Sequence, residues 1–268
     1  MKKRTKKRIG MAISAAVVAI AAYHVYNIRV EDAKAGSEYD NIADAVRISD
    51  EPVEAVPIDD EPAADEGGFS FEDDGPKYDI GTYPNLVIDH ETLKKANPDY
   101  VGWLYVPCLE ISYPVVQGKD NEYYLKHLID GSYNGNGTLF VHCANHFLRD
   151  DVSYIFGHHM YGGAMFGNLK KYDSSAYYWN HPEFKLYTPS KTYTLRIYAV
   201  FYGTGVEKIT FNYSSEASFN AAMKAYAARA LHTPQTSVSY GDKLVCLCTC
   251  AYQVNNGRYF VLCKVMNP

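Results

Sequence analysis

Residues 244–263, LVCLCTCAYQVNNGRYFVLC, are two apolar runs joined by a short polar segment that ends in Asn-Asn-Gly. That pattern predicts a β-hairpin, with strands over KLVCLCTC and RYFVLCKV. The stretch also holds four of the chain's six cysteines, three of them at the alternate positions 246, 248 and 250. A strand puts those three on one face, with Leu247 and Thr249 on the other. Three thiols in a row on one pleated face suit a tetrahedral zinc site poorly, because such ligands usually come from turns with C-x-x-C spacing, which is absent. Same-face neighbours have Cα atoms about 6.5–7 Å apart, at the edge of disulfide range. One bridge to Cys108, Cys143 or Cys263 stays open. Otherwise most of these cysteines read as small buried hydrophobes. Cys250 is set apart by its place, at the end of the apolar run and across the predicted hairpin from Arg258. An adjacent cation lowers a thiol's pKa and can hold an oxyanion.

Outward from the hairpin, the chain from 79 onward is a series of short apolar–polar alternations. Six more strands are predicted, over GWLYV, SYPVVQ, GTLFVH, SYIFGH, FKLYTPS and YTLRIYAVFYGT. One clear helix, SEASFNAAMKAYAARALH (215–232), separates the sixth strand from the hairpin, and a short one over ETLKKANPD (91–99) stops at Pro98. Eight short strands with few helices predict a mainly β fold, an antiparallel sandwich or a closed barrel. The 25 tyrosines against 2 tryptophans lean the same way. No phosphate-cradling glycine loop or P-loop occurs.

A thiol nucleophile needs a base. Of the nine histidines, His24, His90, His127 and His232 lie in the apolar N-terminal run, loops or helices. HCANH (142–146) invites a metal reading but lacks a fourth ligand. YIFGHHM (154–160) differs: a strand runs into Gly157, and two histidines follow at its C-terminal end. That delivers an imidazole to a sheet rim from an element remote in sequence, as Cys–His catalysis requires.

The N-terminal region divides into three parts. MKKRTKKR (1–8) carries six positive charges, and residues 9–28 begin with an apolar run about long enough to cross a bilayer. The basic flank predicts an uncleaved signal-anchor with its N-terminus in the cytoplasm and the rest of the chain exported. The competing reading is a cleaved signal peptide, with AKA at 33–35 as the site, although that lies far from the apolar run. Residues 29–78 read as a disordered acidic tether, since residues 31–78 hold 16 Asp/Glu against 3 Lys/Arg and four prolines. Residues 79–268 form the folded domain, with 16 Lys/Arg and 15 Asp/Glu, so charge gives no reason to expect nucleic acid.

Taken together, YIFGHHM, LCTC (247–250) and NGRYFVLCK (256–264) resemble the sortases, cysteine transpeptidases of Gram-positive cell surfaces, and class B most of all. The lead-in NPDYVGWLYVPCLEISYPVVQGKDNEYYL (97–125), GTLF, MFGNLKKY and the long helix before the last strand pair are similar as well, so the likeness covers about 80–268. The family pattern Thr-Leu-x-Thr-Cys falls on residues 246–250. The resemblance implies a closed eight-stranded barrel with an N-terminal helix and a long helix before the last two strands. It also implies Cys250 as nucleophile, His158 as general acid/base and Arg258 as the oxyanion- and substrate-holding group. Thr249, Tyr252 and Asn256 are the candidate substrate-binding residues. VHCANH departs from the family's acidic, tyrosine-containing sequence, which borders the active site. The implied chemistry cleaves a sorting motif like Asn-Pro-x-Thr-Gly/Asn after Thr through a thioacyl enzyme and transfers it to a cell-wall amine. No metal or cofactor is expected. The partners are sorting-signal proteins, an amine acceptor such as a peptidoglycan precursor, and the membrane. Alternatives are a pilin-polymerising enzyme with a lysine acceptor, a plain cysteine protease, and a silent β-barrel binding module.

Overall fold

In the structure, a computed structural model, Val30, Ile42 and residues 45–49, 84–205, 207–251 and 256–267 are described. Two short strands, β1 (Val46–Ile48) and β2 (Leu86–Ile88), pair antiparallel. The other eight are β3 (Tyr100–Val106), β4 (Ile111–Val116), β5 (Leu139–Val141), β6 (Val152–Phe156), β7 (Glu183–Tyr187), β8 (Thr192–Thr204), β9 (Leu244–Ala251) and β10 (Gly257–Val265). They close into a barrel in the order β10-β8-β7-β3-β4-β5-β6-β9. Each matches one of the apolar runs read from the sequence. Closure leaves no barrel edge unpaired. Among the described residues the α-helices α1 (His90–Ala96), α2 (Ser175–Asn180) and α3 (Glu216–Arg229) accompany it.

Strand alternation sorts the side chains into two cores. Val245 and Leu247 of β9 and Tyr259, Val261 and Cys263 of β10 fill the barrel interior with Leu104, Ile155 and Leu195. Cys246, Cys248, Phe260 and Leu262 face outward and pack with Phe219 and Met223 of α3. Each of those two helix side chains contributes about 2 kcal/mol by leaving water. A bulge at Tyr198 lets β8 serve both cores, because Leu262 pairs with Ala199 and Cys263 already with Ile197. The extra residue reverses the strand's facing: Leu195 and Ile197 point in before it, Ala199 and Phe201 out after it.

Helix α3 starts on a reciprocal cap, the Ser215 hydroxyl accepting from the Ser218 N–H while the Ser218 hydroxyl takes the Ser215 N–H. Helix α1 begins on Asp89 and ends at Asn97, just before Pro98. The acidic 29–78 stretch is not uniformly a tether. Ala45, Val46 and Ile48 are small apolar islands in it, and Ala45 is buried against Leu93 and Tyr100 while β1 takes the edge of β2. The proposed membrane segment, 9–28, lies outside the described residues; among those that are described, no helix is long and apolar enough to cross a membrane.

Candidate active site

The C-terminal ends of β6 and β9 and the start of β10 meet at one end of the barrel. β6 and β9 run parallel, with Phe156 opposite Cys248 and the Gly157 N–H donating to the Cys248 carbonyl at 3.2 Å. His158 follows two residues after the end of β6, at the same end of the barrel as Cys250, which follows two residues after Cys248 in β9. On the other side β9 and β10 run antiparallel, and Arg258 lies directly opposite Cys250. Neighbouring strands are about 4.8 Å apart. Cys250 and Arg258 therefore sit side by side on β9 and β10, with His158 in the turn that leaves neighbouring β6. Of Cys250 the structure describes the backbone only.

The histidine is held firmly. Its Nε2 lies 2.7 Å from the Leu125 carbonyl, and a carbonyl can only accept, so the neutral ring carries its proton on Nε2. Nδ1 is left as the nitrogen for proton exchange. The His158 carbonyl accepts from the Phe166 N–H at 2.9 Å, which fixes the backbone as well. A side chain at Gly157 would run into Leu139 and lie 2.8 Å from the Phe166 ring. Only glycine lets the strand pass that close before the turn. His159 points elsewhere: it is buried and bridges to Met165.

Arg258 is half-buried, and its guanidinium donates to the Gly257 carbonyl at 3.0 Å. Among the described residues it forms no ion pair, and a guanidinium carries five donors in all. Thr249 lies on the opposite face from Cys250, 3% exposed, and among the described residues its hydroxyl has no hydrogen-bond partner. It offers no side chain to the surface. Asn256 is a turn residue with φ 52°, its carbonyl accepting from the Gly205 N–H at 2.7 Å. Asparagine tolerates that left-handed conformation well. Tyr252 lies outside the described residues.

Cys246, Cys248 and Cys263 are buried packing groups. Cys246 and Cys248 are each 2% exposed beneath α3, and burial pushes the Cys246 thiol well up, as it does Cys263. No disulfide joins the described cysteines. The histidines of HCANH engage separate partners: His146 pairs with Asp150 at 3.4 Å, while His142 Nε2 lies 3.0 Å from the Asn121 amide nitrogen. The His142 ring also packs against Phe211, 5.0 Å between centroids. Phe211 belongs to the segment leading into α3, whose carbonyl at 211 accepts from the Val152 N–H. That segment forms a wall alongside β6. Sequence reasoning missed Leu125, since a backbone carbonyl leaves no side-chain signature. It also missed the His142–Asn121 contact, which joins two loops 21 residues apart.

A sortase domain matches residues 104–266. The chain belongs to the sortase family. Sortase B of Listeria monocytogenes is 33% identical over 161 residues, 59% of this chain, and the chain covers 65% of that protein's length. Sortase B of Staphylococcus aureus is 24% identical over 180 residues, 66% of this chain and 74% of that protein. The crystal structure of Clostridium perfringens sortase B superposes with a TM-score of 0.63 at 28% identity, covering 66% of this chain and 99% of that one. In this sortase the closed eight-stranded barrel is the expected architecture, and α1 and the long α3 are compatible with the expected helices.

Proposed function

We propose that this sortase is a class B-type cysteine transpeptidase, anchored by residues 9–28 with the catalytic domain outside the cell. The observation that supports the reading is Arg258 opposite Cys250 on the β9–β10 pair, with His158 just past the end of β6, the strand paired to the other side of β9. The Cys250 thiolate adds to the Thr carbonyl carbon of a motif like Asn-Pro-x-Thr-Gly/Asn. The carbonyl π electrons move to oxygen, where the Arg258 guanidinium donates to the developing anion. As the tetrahedral adduct collapses, the C–N bond breaks and the departing nitrogen takes a proton from imidazolium His158, at Nδ1. Neutral His158 then accepts a proton from the incoming amine as its nitrogen attacks the thioester. Thiolate leaves, and a new amide remains. The Leu125 carbonyl holds Nε2–H throughout, so the ring does not turn between the two transfers. Fixed orientation of this kind is what makes one imidazole serve as acid and then base.

The test is a peptide library cleaved in the presence and absence of a cell-wall amine, with products read by mass spectrometry. Wild type should cleave after Thr in Asn-Pro-x-Thr motifs and form the amide product. Cys250→Ala should do neither, while Cys246→Ser and Cys248→Ser keep most activity. Full activity in Cys250→Ala would remove the assignment. Product with a pilin lysine but none with the wall amine would favour polymerisation.

A further inference from the structure

Beside the site lies an exposed set of rings that the chemistry above does not use. Tyr123 and His127 stack face to face, 3.9 Å between centroids and 2° apart in plane. Tyr133 meets His127 edge-on at 5.8 Å, and Tyr124 meets Tyr123 likewise at 5.0 Å. Tyr124 is buried, but Tyr123 is 44% exposed and Tyr133 66%. Isolated exposed aromatics need no explanation; adjoining ones on a rigid base do.

The base is rigid. His127 and Tyr133 form a β-bridge, and the loop between them is closed by Leu128 N–H to Ser132 carbonyl, 2.9 Å, and Gly131 N–H to Leu128 carbonyl, 3.0 Å. Gly131 takes the turn at φ 82°. Leu128 and Ile129 are buried beneath, and His127 Nδ1 is 2.7 Å from the Tyr123 carbonyl. The set therefore loses little side-chain entropy on binding.

We propose that Tyr123, His127 and Tyr133 are a carbohydrate platform, which takes the pyranose rings of the wall acceptor while its peptide amine reaches the thioacyl enzyme. This rests on the acceptor reading given above. Three observations select that occupant. First, Leu125, whose carbonyl holds His158, lies two residues from both Tyr123 and His127. A peptide stem of about three residues spans about 10 Å, more than the roughly 7 Å that two residues of extended chain cover from Leu125. Second, aromatic faces match the C–H face of a pyranose, and the phenol and imidazole edges supply hydrogen bonds to its hydroxyls. Third, the surrounding charges are mixed, Lys119 and Lys126 against Asp120, Glu122 and Asp130, so no single-sign field draws an anionic lipid surface.

The test uses the full chain in detergent micelles and two amine acceptors, a stem peptide and the same peptide on its N-acetylglucosaminyl-N-acetylmuramyl disaccharide. Wild type should show a KM about tenfold lower for the disaccharide form. The double variant Tyr123→Ala/Tyr133→Ala should bring the ratio of the two KM values close to one, and Tyr133→Phe, which keeps the ring and loses one hydroxyl, should leave it between the two. A ratio near one in wild type, or one unchanged in the double variant, overturns the platform. So does a wild-type sedimentation profile showing dimers that the double variant abolishes, since the patch would then join two copies. If the sorting-motif peptide is cleaved but neither amine is used, the acceptor reading fails, and chitotetraose decides the platform alone. Saturable shifts of the Tyr123 and Tyr133 ring resonances on adding it support the platform; none overturns it.

Discussion

A guanidinium at position 258 presents its donors in a rigid fork, where a lysine presents one compact, strongly hydrated charge. With Arg258 in register opposite Cys250, the proposed oxyanion is held by geometry as much as by charge. Arg258→Lys should therefore keep the fold and lose about 10²-fold in kcat, the usual scale for a removed oxyanion donor. Retained kcat with raised KM would mean that Arg258 binds the signal without acting on the transition state. Gly157 has an equally specific constraint. Gly157→Ala drives a methyl toward Leu139 and Phe166, and relief by shifting the backbone would move His158 off the Leu125 carbonyl. An overpacked site of this kind typically costs 1–3 kcal/mol. The variant should melt lower than wild type and lose activity more than tenfold, even at temperatures where circular dichroism shows it folded. Activity that fell only as far as the folded fraction would leave Gly157 a packing residue alone.

The elements were legible to different degrees, for physical reasons. The strand runs of the barrel stand out because each is apolar over several residues and bounded by turn formers, and α3 because its helix formers run uninterrupted. The pair β1–β2 was not legible: three residues in an acidic stretch carry too little pattern, and the chain is held there by pairing with β2 and by Ala45, Ile42 and Val46 packing on the Leu93–Tyr100 cluster. Cys250 and Arg258 could be paired from the hairpin alone, whereas the place of His158 depends on a parallel β6–β9 pairing between strands about ninety residues apart. Such a pairing has no local signature. Helix α3 also covers the outer face of β9 that Cys246 and Cys248 occupy. Its N-terminus depends on the Ser215–Ser218 exchange, so Ser215→Ala should destabilise the protein by about 1 kcal/mol. The check is the denaturant midpoint at unchanged slope. No shift would mean that packing of Phe219 and Met223 sets the helix end by itself.

Across the whole molecule, the titrating groups point one way as pH falls. His142 and His181 have pKa values lowered by burial, and His90 is lowered by burial against a smaller opposing pull from Asp89. For a histidine whose folded pKa lies below the unfolded value of 6.5, the unfolded chain binds more protons on acidification. Stability therefore falls as pH drops through about 6.5, and it levels off only below the folded pKa. Asp150 adds a second, lower window. Burial raises its pKa, but hydrogen bonds from Asn212, the His146 N–H and Asn145 outweigh that and hold it below 3.8. Its contribution is present above 3.8 and is lost as pH falls through the lower folded value. The melting temperature should accordingly be highest near neutral pH, decline between about pH 7 and 5, and decline again below pH 4. His142→Gln separates the causes, since glutamine keeps a polar side chain against Asn121 and Phe211 without titrating. In that variant the first decline should be shallower and the second unchanged. A melting temperature that rises from pH 7 to 5 would mean that the buried imidazoles gain partners on protonation, reversing the assigned sign.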